Sequence, residues 1–290
     1  MSGVDDQSIM TIREYRNQFI AQLEVQYGRE EAESFFYLTL EDFRNLKRAD
    51  LALNPDLLFP ADELAQWDFV LAQLKKETPI QYILGKTEFF GLAFEVNENV
   101  LIPRPETEEL VAWILSDNGK SGELTILDIG TGSGCIAIAL AKNLAGAEVS
   151  AIDVSQGALS TAEKNAVRNE VVIDFIHKNI LEIDELNQTF DIIVSNPPYV
   201  RELEKREIRE NVLAHEPHLA LFVSDDDALL FYRKIADLAK KNLSQTGRLY
   251  FEINQYLAKE TMDMLEQKGF SFLELRKDIF GNDRMVLARL

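Results

Sequence analysis

The 290-residue sequence holds one cysteine, Cys135, and three histidines, His177, His215 and His218. A single thiol excludes an internal disulfide and a thiolate metal cluster, and no two histidines stand four apart as on one helical face of a metal site. A lone cysteine fits a reducing compartment. Long hydrophobic runs are also missing. The longest, such as residues 135–141, fall far short of the ~20 residues a membrane helix needs. Met1-Ser2-Gly3-Val4-Asp5-Asp6 is polar and acidic, with neither the basic nor the apolar region of a signal peptide. A soluble, cytoplasmic protein is expected. Positive charge is scarce: 30 Lys+Arg against 49 Asp+Glu leave a net charge of −19 and a pI of about 4.6. The excess is not a tail, because residues 1–77 carry 15 acids and 8 bases, and the remainder 34 and 22. Such a chain repels phosphate backbones, so direct nucleic-acid binding is not expected without a local basic patch.

With 46% hydrophobic residues the chain can bury a core, and its length suggests roughly two domains of about 150 residues. Residues 8–76 show helical periodicity: Ile12, Tyr15, Phe19, Ile20 and Leu23 recur at helical spacing, then Phe35, Phe36, Leu38, Leu40 and Phe43, then Leu64, Trp67, Phe69, Val70, Leu71 and Leu74. Asn54-Pro55 and Phe59-Pro60 punctuate them, and Pro60-Ala61-Asp62-Glu63 reads as a helix start. No catalytic constellation lies here, and a small bundle that binds or merely packs is predicted. Residues 80–102 change to interspersed apolar and polar residues broken by Gly85, Gly91 and Asn97, which predicts a β-hairpin bridging two domains. Pro103-Arg104-Pro105 stops it, and a helix restarts with acids in its first turn.

From residue 123 apolar strand segments alternate with helical ones. Strands are expected over 124–129, 147–153, 171–176, 190–195, 247–253, 272–277 and 284–289, with helices over 134–144, 155–169, 228–242 and 255–268. This alternation predicts a mostly parallel sheet covered on both faces, with ligands bound beyond the carboxyl ends of its strands at the switch point.

Three motifs fall at those ends. Asp128-Ile129-Gly130-Thr131-Gly132-Ser133-Gly134-Cys135 follows a strand and opens a helix. Its glycines allow positive φ and close approach of a ligand to the backbone. Their Gly-x-Gly-x-Gly spacing is one residue short of the dinucleotide fingerprint, which weakens a dehydrogenase reading. Asp153 ends the next strand; there an acid either accepts both ribose hydroxyls of a nucleoside or caps the helix that follows. Ser195-Asn196-Pro197-Pro198-Tyr199 ends a third strand. Two prolines remove two backbone donors and stiffen the turn, Asn196 supplies a carbonyl acceptor, and Tyr199 an aromatic face. Such a set suits a planar group bearing an NH₂, its hydrogens accepted by Asn196 and the Pro197 carbonyl and its plane stacked on Tyr199.

Together these motifs resemble class I methyltransferases that use S-adenosylmethionine and methylate an exocyclic or amide nitrogen. Asn-Pro-Pro-Tyr is shared by DNA adenine, rRNA guanine and protein glutamine methyltransferases. Leu101-Ile102-Pro103-Arg104-Pro105-Glu106-Thr107-Glu108, the preceding Phe89-Phe90-Gly91, Glu216-Pro217 with Ala220-Leu221, and the helical N-terminal region resemble the HemK/PrmC family over nearly the whole chain. That family methylates the glutamine amide of the Gly-Gly-Gln motif in peptide chain release factors.

The resemblance implies a Rossmann-like α/β methyltransferase sheet with a small N-terminal helical bundle joined by a β-hairpin. The domains would be 1–78 for substrate recognition, 79–105 as hairpin linker and 106–290 for catalysis. Cofactor contacts would come from Asp128, Gly130, Thr131, Gly132, Ser133, Gly134, Asp153, Asn179 and Asn196, and from Phe90 unless that ring only packs. Asn196, Pro197, Pro198 and Tyr199 would bind the substrate, with Asn196, Pro197 and Tyr199 catalytic. Asn179-Ile180 stands where relatives often place an Asp and an aromatic to read adenine. Arg104 and Glu106 either order the pocket wall or serve helix-start electrostatics, and Glu252 is assigned a structural role. No metal is implied, and a monomer acting on release factors is expected. The alternatives are an rRNA or DNA nitrogen methyltransferase, a ribosomal protein glutamine methyltransferase and a non-catalytic nucleoside-binding regulator. Against a base substrate, Arg201, Lys205, Arg206 and Arg209 are interleaved with Glu202, Glu204, Glu207 and Glu210, which reads as a solvated, salt-bridged helix face.

Overall fold

The computed structural model describes residues 10–119 and 122–290; the acidic residues 1–6 lie outside them. The chain divides into two compact units, Met1–Leu84 and Gly85–Leu290.

The first unit is helical: α1 (Ile12–Tyr27), α2 (Arg29–Arg44), α3 (Arg48–Leu53), α4 (Leu64–Leu74) and α5 (Ile80–Leu84). Thr11 and Glu14 form a reciprocal capping box at the start of α1, satisfying two backbone donors that a helix end leaves open. The apolar stripes converge on Trp67, which is fully buried. Tyr15, Phe19, Phe36, Phe43 and Phe59 surround it, with centroids 5.1 to 6.1 Å away and mostly edge-on. Edge-on packing sets the positive rim of one ring against the negative face of the next.

The second unit opens with β1 (Lys86–Phe89) and β2 (Leu92–Glu95), an antiparallel hairpin. Its turn residues, Phe90 and Gly91, both have positive φ (52° and 71°), the two-residue geometry whose twist matches the strands. The hairpin is shorter than the sequence suggests, because residues 80–84 are helical and residues 96–104 form neither strand nor helix. It clusters with the sheet unit for a definite reason. The buried Asn165 amide accepts from the Glu95 N–H at 2.6 Å and donates to the carbonyls of Glu95 and Ser133 at 3.0 Å each.

Next come α6 (Pro105–Asn118), β3 (Thr125–Ile129), α7 (Cys135–Asn143), β4 (Glu148–Asp153), α8 (Gln156–Arg168), β5 (Asp174–His177) and β6 (Phe190–Ser195). They are followed by β7 (Val200–Arg201), α9 (Glu210–His215), α10 (His218–Leu221) and β8 (Phe222–Val223). The last elements are α11 (Leu230–Asn242), β9 (Leu243–Glu252), α12 (Ala258–Gln267), β10 (Phe272–Lys277) and β11 (Asp283–Arg289). The sheet order is β10-β11-β9-β6-β3-β4-β5. Strands β5, β4, β3, β6 and β9 run parallel, and β11 pairs antiparallel with both β9 and β10, so β11 alone runs against the other strands. Both faces are covered. Ile126, Ile192 and Tyr250 face one core layer, and their neighbours Leu127, Ile193 and Phe251 face the other, as the two-residue period of a strand requires. After β5 the chain crosses back over β3 to form β6, so the topology switches between β3 and β6.

Residues 200–223 were not anticipated as separate elements. The expected solvated helix face is instead a 3₁₀ turn, Glu202–Glu207, in which Glu204 is buried. Its carboxylate accepts from the Arg201 N–H (2.9 Å) and guanidinium and from Asn254 Nδ2 (2.8 Å), so this one acid is an internal anchor, while Lys205 and Glu202 form a salt bridge at the surface.

Candidate active site

At the switch point, within the second unit, lies a cavity of about 260 Å³. The turn after β3 forms its floor. Gly130 and Gly132 have φ of +75° and +55°, and a Cβ built on either would meet no atom within 4 Å. Both therefore leave backbone open to a ligand in a conformation that side chains rarely adopt. Gly130, Thr131, Gly132 and Ser133 all line the cavity. Gly134 does not: a Cβ there would press on Ile138 Cδ1 at 3.0 Å and Ala162 Cβ at 3.1 Å, so it serves the close packing of α7 on α8. Asp128 also lies beneath the turn and not in the cavity wall. It is fully buried and its Oδ2 accepts from the Thr131 hydroxyl at 2.6 Å; burial pushes its carboxyl up to about 7. Cys135 borders the cavity, but burial raises its thiol to about 12, which leaves no thiolate to react.

Asp153 ends β4 in the cavity wall. Its Oδ2 accepts from the Gly132 N–H and its Oδ1 from the Ser155 N–H, both at 2.8 Å. Burial raises its pKa, and those backbone donors oppose the shift. Of the two roles open to Asp153, the side-chain cap of α8 belongs to Ser155, whose Oγ accepts from the Ala158 N–H. Each Asp153 oxygen keeps a lone pair to accept from a ligand. Asn179 lines the cavity with its amide engaged on both sides: Oδ1 accepts from the Leu181 N–H and Nδ2 donates to Glu182. Ile180 and Leu181 beside it supply apolar wall.

Across the floor, β6 delivers Asn196, Pro197 and Pro198 to the cavity. Asn196 Nδ2 donates to Thr107 Oγ1 at 3.3 Å, and Thr107 donates to Glu252 Oε2 at 2.7 Å. Among the described residues, no hydrogen bond uses Asn196 Oδ1 or the Pro197 carbonyl. Tyr199 is not in the cavity wall. Its hydroxyl donates to Glu252 Oε1 at 3.0 Å, and burial with the facing carboxylate pushes its pKa up. Phe90 is also absent from the wall; its ring packs on the core and its N–H donates to Glu108 at 2.8 Å. Of the sequence-expected site residues, Asp128, Gly134, Phe90 and Tyr199 thus stand outside the cavity lining, because a motif marks which residues cluster and not which face they show.

The sequence offered Arg104 as part of a pocket wall; the structure adds Asn99, Val100, Leu101 and Pro103 beside it, and Pro217, Leu219 and Ala220. Arg104 lines the cavity and pairs with Glu216, whose side chain is 1% exposed and also accepts from the Ile102 N–H at 3.2 Å. Thr107 was missed as well, although it stands inside the 101–108 segment; its signal was a hydroxyl in the first turn of a helix otherwise rich in acids there. Among the described residues no cluster of His, Cys, Asp and Glu could hold a metal ion.

Comparison with known proteins shows what the chain is similar to in sequence and fold. The family described as PrmC N-terminal domain matches residues 14–85, and that described as Methyltransferase small domain matches residues 108–220. The chain is 64% identical over 280 residues to the release factor glutamine methyltransferase of Flavobacterium psychrophilum, covering 96% of this chain and 98% of that protein. It is 44% identical to the protein of the same name from Bacteroides thetaiotaomicron, covering 90% and 94%. In fold it is similar to a 16S rRNA N2 methyltransferase of T. thermophilus solved with AdoMet and guanosine, with a TM-score of 0.52 and 20% identity over 70% of this chain and 49% of that one.

Proposed function

The chain belongs to the release factor glutamine methyltransferase family, and on that premise we propose that it methylates the side-chain amide nitrogen of the Gly-Gly-Gln glutamine in peptide chain release factors, with S-adenosylmethionine as donor. The observation that carries the reading is the pairing, across one cavity, of the open Gly130–Gly132 turn and Asp153 with Asn196 and the Pro197 carbonyl.

The residues fit the cofactor. Two open glycines leave room for the methionine part, Asp153 has acceptors to spare for a ribose diol, and Ile180 and Leu181 offer an apolar face for a base. When bound, the cofactor supplies a methyl group on a positively charged sulfur, an electrophile strong enough for a weak nucleophile. The amide nitrogen is weak because its lone pair is delocalised into the carbonyl. Asn196 Oδ1 and the Pro197 carbonyl would accept its two hydrogens, orient the nitrogen and stabilise positive charge developing on it. Arg104, Pro217 and Leu219 would narrow the opening and exclude water. Among the described residues no His lines the cavity, and burial keeps the Cys135 thiol protonated, so the proton would leave after transfer. Tyr199 would support this site from behind through Glu252, in place of the stacking role its motif suggests.

In the same proposal residues 1–78 recognise the release factor, residues 79–105 link them to the catalytic residues 106–290, and the enzyme works as a cytoplasmic monomer without nucleic acid. The net charge of −19 supports a protein acceptor over a phosphate-rich one. The test is mass spectrometry of a release factor incubated with enzyme and cofactor: one added methyl on the motif glutamine is expected, and label on rRNA or DNA alone would overturn the proposal. Asn196→Ala should lower turnover at least about tenfold while cofactor affinity stays.

A further inference from the structure

We infer that Thr107 and Glu252 fix the direction in which the Asn196 amide points, and so decide that an acceptor, and not a donor, faces the substrate; the inference rests on Asn196 being the residue that receives the substrate amide. Glu252 is 1% exposed, and its two carboxylate oxygens each accept from a hydroxyl, Thr107 at 2.7 Å and Tyr199 at 3.0 Å. A hydroxyl has one proton. Thr107 spends it on Glu252, so toward Asn196 its oxygen can only accept. The Asn196 group 3.3 Å away must then be the NH₂, and the oxygen of the same amide points away from Thr107, leaving it free to accept from a group in the cavity that both residues line. An asparagine amide is otherwise nearly symmetric in shape, and rotation by half a turn exchanges acceptor for donor at little steric cost. A donor in that place would face the NH₂ of a glutamine and repel it.

The anchor is itself held. Thr107 is buried in the first turn of α6, and Glu252 ends β9, whose partners in the sheet are β6 and β11. The relay therefore ties the amide to two elements outside its own loop. Thr107 and Glu252 are positioning residues: neither needs to touch the substrate.

The test uses the full-length enzyme, S-adenosylmethionine and an intact release factor, together with a release factor carrying Gln→Glu in its motif. Thr107→Val keeps the shape and removes the hydroxyl. It should lower kcat at least about tenfold, leave cofactor affinity within about twofold, and add no further loss in an Asn196→Ala background. Thr107→Ser should restore kcat to within about threefold of the parent. A freed amide can present its NH₂, which suits a carboxylate, so the Gln→Glu release factor should inhibit Thr107→Val at least about tenfold more tightly than the parent. Parent-like turnover in Thr107→Val, the same penalty in the Asn196→Ala background, or unchanged inhibition by the Glu protein would overturn the inference. If Val and Ala at position 107 abolish cooperative melting while Ser retains it, the hydroxyl is a folding requirement and the inference also fails. Full activity of Asn196→Ala would instead overturn the amide-site reading beneath it.

Discussion

Asp128 and Asp153 are two carboxylates of one site, 25 positions apart in the sequence, with different tasks. Asp153 sits at the cavity with two backbone donors and lone pairs to spare. Asp153→Ala should weaken cofactor affinity at least about tenfold in calorimetry, through loss of charge-assisted hydrogen bonds, with the fold retained. Asp128 is buried under the turn with its carboxyl raised to about 7 from 3.8. Between about pH 4 and 7 the folded protein keeps a proton that the unfolded chain releases. The folded state is therefore favoured at the acid end, and that advantage, on the order of 4 kcal/mol, is lost as pH rises to about 7. Asp128→Asn should flatten this part of the profile: melting followed from pH 4.5 to 7.5 should decline less in the variant than in the parent. Parallel declines would show that Asp128 does not carry the proton.

The elements around the cavity differ in how they are held. Strands β3, β4 and β6 stand in a ladder whose register the alternating core residues enforce, so Gly130, Asp153 and Asn196 come to one edge without further help. The segment from β7 to β8 has only short elements, and it meets the opposite wall of the cavity through the buried carboxylate of Glu216, between Arg104 and the Ile102 N–H. Glu216→Ala would leave a buried N–H and a half-buried guanidinium without their partner. It should lower cofactor affinity about tenfold or more and reduce melting temperature, whereas Glu216→Gln, which still accepts from Ile102, should lose less. Equal cofactor affinity in parent and Glu216→Ala would show that this wall is not needed for binding.

At the scale of the molecule, each unit has its own core: the aromatic cluster about Trp67 in one, the two layers on the sheet in the other. The helical unit carries apolar side chains that its core does not use, Val25, Leu53 and Phe69 among them. If this unit recognises the release factor, replacing all three by serine should raise KM for that substrate several-fold, with kcat, cofactor affinity and melting near the parent values. These are surface positions, where substitution costs little stability. An unchanged KM would move recognition to other surfaces.

The sequence alone settled what local chemistry controls. A single cysteine excluded an internal disulfide and a thiolate metal cluster. Apolar periods of 3.6 and 2 separated a helical unit from a parallel sheet. The strand ends carried Gly130–Gly132, Asp153 and Asn196–Pro198, because glycine freedom, a terminal acid and paired prolines are properties of neighbours in the chain. Tertiary structure decided what depends on distant partners. Tyr199 and Phe90 sit inside recognisable motifs, yet packing turns one toward Glu252 and the other toward the core. Gly134 is adjacent to the open Gly130–Gly132 turn but answers to Ala162 on another helix. Thr107 and Glu252 lie 145 residues apart and meet only when α6 docks on the end of β9. The direction of the Asn196 amide follows from that meeting, since a hydrogen bond's donor and acceptor are set by all the groups sharing the proton and not by the motif that holds one of them.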